Sequence, residues 1–164
     1  MMAASNAMPK GASAVEIRRM TMSDVPAILA ILEESPETVA WSEDVLLRLA
    51  SVERAAWVAV LGGDVVGLLI GRIAADEFEI LNLAVSRVHR RSGIGAELLE
   101  SALEFSRMAG CARAYLEVRV SNKPARALYA RRGFTECGRR GRYYRDPVED
   151  ALLLSLNLGG GGTH

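Results

Sequence analysis

The sequence predicts one α/β domain with a mixed, mostly antiparallel central sheet of about seven strands, flanked by about four helices. The chain has 164 residues, of which 50% are hydrophobic and 24% charged, as expected for one globular domain with a single core. Segments with the two-residue period of strands alternate with segments that have the period of amphipathic helices. A buried strand, a loop with two glycines and a helix follow one another in Ile80–Leu99, which predicts one parallel crossover.

The first half of the chain predicts one strand, two helices and an antiparallel meander. Thr21 and Asp24 have the spacing of a capping box, and Ser42 is a candidate N-cap. Gly62-Gly63-Asp64 predicts a hairpin turn. The predicted elements are a strand over 15–20, helices over about 24–34 and 42–50, and strands over 55–61, 65–73 and 78–85.

The second half predicts two helices and three strands. The glycines of 93–95 open a helix that runs to about Met108, and Gly110 ends it. Gly133 ends the later helix in the same way. The predicted elements are helices over about 93–108 and 123–131, and strands over 112–118, 134–137 and 151–156.

Residue counts exclude several classes of protein. Twenty basic and 20 acidic residues give a formal charge of zero, so direct binding to nucleic acid or to a membrane is not expected. Cys111 and Cys137 lack metal-ligand spacing, and His89 and His164 cannot complete a metal site, so we expect no metal. We expect free thiols and a cytoplasmic location.

The two ends of the chain are expected to lie outside the fold. Residues 1–14 lack the basic start and apolar core of a signal peptide, and predict a disordered or tag-derived N-terminus. Residues 159–164 are rich in glycine and predict a flexible tail. A single domain is expected over 15–158.

The most informative stretch predicts a phosphate or pyrophosphate site. Gly93 and Gly95 allow backbone N–H groups at a helix start to approach an anion, where the helix dipole is favourable, and Arg90 and Arg91 can add charge. A dinucleotide fingerprint requires glycine at Leu98, and a P-loop requires Gly-Lys-Ser/Thr, so neither motif is present. A tight strand–turn–helix corner without a ligand is the alternative.

Together with further segments before and after it, this motif resembles the GNAT N-acetyltransferases. The pattern Arg90-x-x-Gly93-x-Gly95 is similar to the acetyl-CoA motif of that family. Further segments resemble the RimI branch of that family, the ribosomal-protein-alanine N-acetyltransferases. They are Trp41-Ser42, Leu116–Asn122, Ala127–Tyr129, Gly133-Phe134, Arg142–Tyr144 and Glu149–Ala151. The likeness extends from about Ile17 to Leu156.

The resemblance implies acetyl-CoA as co-substrate and gives individual residues a role. Leu83, Ala84 and Val85 match the splayed strand that holds pantetheine and acetyl through its backbone. The family's pyrophosphate loop falls on six positions: Arg91, Ser92, Gly93, Ile94, Gly95 and Ala96. Asn122 matches a residue that contacts CoA. Glu117 matches the proposed general base, and Tyr129 matches the proposed general acid.

The chemistry of acetyl transfer requires such groups. An α-amine is mostly protonated near neutral pH, so a carboxylate has to accept a proton, directly or through water, before the amine attacks. The developing oxyanion needs an N–H donor, for which Val85 is the candidate. A phenol such as Tyr129 can assist the departing thiolate.

Each of these residues also has a purely structural interpretation. Glu117 can be a solvated strand residue, Tyr129 can be core packing, and Asn122 can cap the helix that follows. Tyr143 and Tyr144 are either edge packing or a flexible wall over the acceptor peptide. The family's usual proline before Trp-Ser is Ala40 here, and position 96 is Ala where a basic residue is common.

We therefore predict transfer of acetyl from acetyl-CoA to the N-terminal α-amine, preferably Ala, of a small-subunit ribosomal protein. Transfer is expected by direct attack in a ternary complex, with no covalent enzyme intermediate. The alternatives are an acetyltransferase for a small-molecule amine or a Lys side chain, and a non-catalytic module that binds CoA and a protein.

Overall fold

The computed structural model describes residues 14–35, 41–52 and 55–159. Most of the predicted N-terminal segment and tail, and the position of Ala40, lie outside the described residues. In chain order the elements are β1 (Val15–Arg19), α1 (Val25–Glu33), α2 (Glu43–Val52), β2 (Ala56–Leu61), β3 (Asp64–Ala74), β4 (Glu77–Val85), α3 (Ile94–Met108), β5 (Arg113–Arg119), α4 (Lys123–Arg131), β6 (Thr135–Tyr144) and β7 (Glu149–Asn157).

Within the described residues, seven strands form one sheet in the order β1-β2-β3-β4-β5-β7-β6. All neighbours are antiparallel except β4 and β5, which are parallel and are joined through α3. The predicted α/β fold, with its mostly antiparallel sheet and four helices, is confirmed. The last strand, β7, lies between β5 and β6, so β6 forms an edge of the sheet.

Strand β6 is much longer than the sequence predicted. The prediction ended it at Cys137, whereas it continues to Tyr144. Residues 138–144 are glycine, arginine and tyrosine, so they lack the alternation of apolar side chains that marks a half-buried strand. Pairing with β7, which supplies apolar residues at 151–154, defines this part of β6.

Each face of the sheet has a hydrophobic cluster among the described residues. We call the face that carries α3 and α4 the helical face. There α3 packs with Leu98, Leu99 and Leu103, which are almost fully buried, and α4 packs with Tyr129. On the other face, α1 and α2 pack over β2, β3 and β4. That second cluster takes its described residues from β2–β4 and the segments before them, so the same side of β5, β7 and β6 remains accessible. We call this side the open face.

The predicted capping residues act at the starts of α2 and α4 and at the 3-10 turn, Met22–Asp24, that leads into α1. The Thr21 N–H donates to Asp24 Oδ2 at 2.7 Å, the Val45 N–H to Ser42 Oγ at 3.3 Å, and the Ala125 N–H to Asn122 Oδ1 at 3.2 Å. These contacts satisfy N–H groups that have no partner inside the helix. No helix in the described part of the chain combines the length and apolar character needed to cross a membrane.

Candidate active site

The central feature of the site is a gap between β4 and β5. Their parallel register runs from Glu77 opposite Arg113 to Ile80 opposite Leu116, and both strands then continue for several residues without each other. The strands therefore splay and leave a cavity of about 60 Å³. Its lining includes Leu83, Glu117, Arg119, Asn122, Tyr129 and Tyr144.

A β-bulge at Leu81 determines which side chains of β4 reach the gap. Ile70 pairs with Asn82, but the next residue, Gly71, pairs with Ile80, so Leu81 is the extra residue. The bulge reverses the alternation of the strand. Leu83 and Val85 consequently pack on the helical face, as Ile80 does.

The backbone of β4 presents polar groups to the gap at two of the three predicted positions. The Ser86 N–H donates to Val66 O at 2.8 Å, which fixes the hydrogen-bonding phase of β3 and β4. In an antiparallel ladder this phase directs the N–H and C=O groups of Leu83 and Val85 away from β3, toward the gap. Ala84 differs from the prediction, because its backbone faces β3 and its side chain packs on the opposite face.

The loop after β4 forms a concave backbone surface at the start of α3. Arg91 has φ of 65° and Gly93 has φ of 87°, so two left-handed residues turn the chain before the helix. The Glu97 N–H donates to Gly93 O at 3.1 Å, which makes the N–H groups of residues 94–96 the unpaired first turn. Such a turn is suited to a phosphate group.

Arg90 connects this loop to two other parts of the protein. Its Nε donates to Val85 O at 3.0 Å, and its NH2 group donates to Glu34 O at 3.1 Å and Ser35 Oγ at 3.0 Å. The sequence suggested that Arg90 adds charge to the phosphate site. In the structure its guanidinium instead holds the end of β4 against the end of α1.

Helix α4 brings Asn122 and Tyr129 to the helical side of the gap. Asn122 caps the helix, as its structural interpretation required, and lies at the gap lining. Tyr129 is 6% exposed, and its ring packs edge-on against Phe134 with centroids 5.5 Å apart. Burial raises the pKa of Tyr129 well above its usual range, so its hydroxyl stays protonated.

Glu117 reaches the gap from the open face. Glu117 pairs with Leu153 across β5 and β7, and its side chain is 17% exposed. It accepts a hydrogen bond from Arg140 Nε, and a hydrogen bond from the Tyr143 hydroxyl, which raises the pKa of Tyr143. The strands thus place the predicted base and the predicted acid on opposite sides of one gap.

Arg140 and Arg119 are site residues that the sequence interpretation missed. Arg140 lies on β6, which was predicted too short to include it. Arg119 contacts Glu149 at 3.4 Å, and its guanidinium lies 4.3 Å from the ring centroid of Tyr144, which lines the gap. The available signal was the alternation of Glu117 and Arg119, which puts both side chains on one face of a strand.

The sequence pattern of the Acetyltransferase (GNAT) family matches residues 22–134, more than half of the chain. The chain belongs to the GNAT family. The resemblance stated from the sequence is therefore confirmed, and the protein is an acetyltransferase of the type that uses acetyl-CoA as co-substrate.

Relatives of the GNAT chain include N-terminal acetyltransferases. The chain is 32% identical over 144 residues to the ribosomal protein bS18-alanine N-acetyltransferase of Escherichia coli K12, with 87% of this chain and 97% of that protein covered. It is 33% identical over 156 residues to an N-alpha-acetyltransferase of Sulfurisphaera tokodaii, with 87% and 92% covered. The crystal structure of the ribosomal-protein-S18-alanine N-acetyltransferase from Escherichia coli has a TM-score of 0.81 at 29% identity, covering 92% and 99%.

Acetyl-CoA fits the residues of the GNAT site. The unpaired N–H groups at the start of α3 suit the pyrophosphate, and space is open around Gly93, where an added Cβ would meet no atom within 4 Å. The gap edge of β4 offers N–H groups that suit the thioester arm. Bound acetyl-CoA supplies the activated acyl group.

Proposed function

We propose that this GNAT enzyme acetylates the N-terminal α-amine of a protein, with Ala as the preferred first residue and a small-subunit ribosomal protein as the acceptor. The observation that carries the proposal is the placement of Glu117 and Tyr129 on opposite faces of one gap. The activities for which the Escherichia coli and Sulfurisphaera tokodaii relatives are named support a peptide acceptor. Reaction in the cytoplasm is part of the proposal.

The open face supports a peptide as acceptor. Helices α1 and α2 cover β2–β4, and beside them the open face of β5, β7 and β6 offers a sheet surface on which an extended chain can lie. Glu117 is the carboxylate on this surface that lines the gap. An amine delivered along the open face therefore meets a proton acceptor before it meets the thioester.

Deprotonation is the first task of the site. An ordinary α-amine has a pKa of about 8, so most of it is charged at neutral pH. Glu117 accepts the proton directly or through a water molecule, since the cavity of about 60 Å³ has room for water. The neutral nitrogen then attacks the carbonyl carbon and forms the new C–N bond.

The remaining tasks are charge stabilisation and departure of the thiolate. The Val85 N–H points away from β3, and in this proposal it donates to the oxyanion that develops on the carbonyl. The Tyr129 hydroxyl, kept protonated by burial, donates a hydrogen bond to the sulfur as the C–S bond breaks. No residue becomes acylated in this direct transfer.

The first test compares three acceptors. The wild-type enzyme receives acetyl-CoA with an Ala-initiated peptide, the same peptide with a blocked N-terminus and one internal Lys, and a polyamine; transfer is measured by mass spectrometry. We expect label on the free α-amine. Label only on Lys or the polyamine would replace the proposed acceptor with the alternative one.

The Glu117→Gln variant tests the proposed base. We expect turnover to fall about a hundredfold at pH 7 and less at pH 9, because more of the amine is neutral without assistance at the higher pH. The affinity for CoA, measured by calorimetry, is expected to be unchanged. Equal turnover in variant and wild type across this pH range would exclude Glu117 as the base.

A further inference from the structure

The turn between β6 and β7, residues 145–148, is fastened to the end of β5 by Arg119. The Arg119 NH1 group donates to Pro147 O at 3.2 Å, and its NH2 group donates to Arg145 O at 3.2 Å. One side chain thereby holds two carbonyl groups of a short turn. Arg119 is the last residue of β5 and its side chain is only 12% exposed, so the turn is attached at a fixed point of the sheet.

Glu149 completes this attachment. Its Oε1 accepts a hydrogen bond from Arg119 NH1 at 3.4 Å, and its Oε2 accepts one from the Ser121 N–H. The Glu149 side chain is 17% exposed, so its pairing with Arg119 is screened less by salt than a pair on the open surface. The carboxylate therefore joins the first residue of β7 both to the end of β5 and to the segment that precedes α4.

Arg119 also supports the ring of Tyr144. Its guanidinium lies 4.3 Å from the centroid of that ring, within the range of a cation–π contact. Tyr144 lines the gap and packs edge-on against Tyr143, with ring centroids 5.1 Å apart, and the Tyr143 hydroxyl donates to Glu117. We call the side chains of Tyr143 and Tyr144 the tyrosine wall.

The tyrosine wall stands on an irregular part of β6. The register against β7 shifts between Arg140 and Tyr144, where residues 141–143 lie opposite a single residue of β7. Arg142, within this bulge, has φ of 52°, in the left-handed region. The ladder between β6 and β7 is thus interrupted directly before Tyr144. The position of the wall therefore depends on side-chain contacts such as those of Arg119.

We propose that Arg119 is a positioning residue for the acceptor, because it holds the tyrosine wall in place beside the gap while the peptide amine approaches Glu117. This inference rests on the proposed function. Arg119 acts through Tyr144 and the turn after β6, and it takes no part in the proton transfers or bond changes. A wall that is already ordered does not have to be immobilised when the peptide binds, which lowers the entropic cost of binding.

Steady-state kinetics with acetyl-CoA and an Ala-initiated peptide measure the effect. We expect Arg119→Gln to raise the KM for the peptide about tenfold and to lower kcat less than about threefold, because acceptor binding is weakened and the chemistry is not. The Kd for CoA, measured by calorimetry, is expected to be unchanged. Arg119→Lys keeps the cation and should raise the KM only about threefold, since an ammonium group cannot make all the contacts of the guanidinium.

Arg113→Gln is the matched control for these kinetics. It removes the same charge from the exposed first residue of β5, about 20 Å from Arg119 along the strand. We expect this variant to have the peptide KM and the kcat of the wild type. A peptide KM that is unchanged in Arg119→Gln would overturn the inference.

Hydrogen–deuterium exchange followed by mass spectrometry tests the attachment without any acceptor. In Arg119→Gln we expect faster exchange in residues 141–149 than in wild type, with unchanged exchange in α1 and α3. Glu149→Gln keeps the side-chain size and should produce the same local effect to a smaller degree, and it carries both measurements if Arg119→Gln does not fold. Exchange equal to wild type in residues 141–149 would show that the turn is not held by this pair, and would overturn the inference.

The outcomes separate this inference from the proposed function. Faster exchange of the turn with an unchanged peptide KM would overturn the positioning role and leave N-terminal acetylation in place. A lower kcat with an unchanged KM would assign Arg119 to the chemical step and would also overturn the inference. If the wild-type enzyme acetylates no peptide, the proposed function itself is contradicted, and the inference falls with it whatever the exchange shows.

Discussion

Among the glycines that the structure describes, Gly71 is the one at which an added methyl group is expected to have the largest effect on the fold. It lies in β3 opposite the bulge of β4. A Cβ at this position would be 2.4 Å from Phe78 Cζ and 2.5 Å from Phe78 Cε1. Carbon atoms in contact are usually about 3.5–4.0 Å apart, so the overlap exceeds about 1 Å.

The ring of Phe78 has little freedom to move away. Phe78 is fully buried, and its ring packs edge-on against Trp57 with centroids 6.4 Å apart. Overpacking of a well-packed core costs about 1–3 kcal/mol. Replacing Gly with Ala also reduces the conformational entropy of the unfolded chain, which stabilises the folded state by about 0.4–1 kcal/mol. We expect Gly71→Ala to lower the free energy of unfolding by about 1–2 kcal/mol.

Urea unfolding followed by circular dichroism measures this difference. Gly138→Ala is the matched control, because a Cβ there lies 3.7 Å from atoms of Leu153, an ordinary contact. Its expected change is less than about 0.5 kcal/mol. Phe78→Leu should interact favourably with Gly71→Ala in a double-mutant cycle, by about 1 kcal/mol. A stability of Gly71→Ala within about 0.5 kcal/mol of wild type would refute the steric argument.

Three further predictions concern the capping residue Asp24, the contacts of Arg90 at the phosphate loop and the proposed general acid Tyr129. Burial alone raises the pKa of Asp24, but hydrogen bonds from Arg18 and Thr21 outweigh it and hold the pKa below its usual value. Asp24→Asn should therefore cost about 2 kcal/mol in urea unfolding at pH 7, and the difference should shrink below about pH 4; a difference independent of pH would contradict this. Arg90→Ala should raise the Kd for CoA, measured by calorimetry, about fivefold, because the free energy of about one hydrogen bond is lost. An unchanged Kd would show that the contacts of Arg90 with the ends of β4 and α1 do not hold the phosphate loop in place. Tyr129→Phe should slow the chemical step about a hundredfold in single-turnover kinetics, with CoA affinity unchanged, and full activity would remove Tyr129 from the mechanism.

Local signals made the helices and the hairpin predictable. The bounds of α4 agree with the prediction, because Asn122 caps its start and Gly133, with φ of 95°, follows its end. The predicted hairpin turn at Gly62-Gly63 is present, with positive φ at both glycines. In each case the residues that determine the structure are neighbours in the chain.

Contacts between distant residues set the parts of the site that could not be predicted. The bulge at Leu81 depends on the register of β4 against β3, and on Gly71 leaving room for Phe78. Arg90 contacts Glu34 O although 56 residues separate them. Likewise, Arg140 meets Glu117 because β7 lies between β5 and β6, and that order is not visible in the sequence pattern.

The topology explains why the phosphate loop and the gap occur together. In a parallel crossover, the connecting helix begins at the carboxyl end of the first strand, so the positive end of its dipole lies at that edge of the sheet. The parallel pairing of β4 and β5 stops at Ile80 and Leu116, before either strand ends, and the gap therefore opens toward the same edge. An elongated ligand with a pyrophosphate and a distant thioester can bind the start of α3 and the backbone of β4 at once. Because the gap passes through the sheet, that ligand can meet Tyr129 on the helical face and an amine beside Glu117 on the open face, without a lid or a second domain being needed for the encounter.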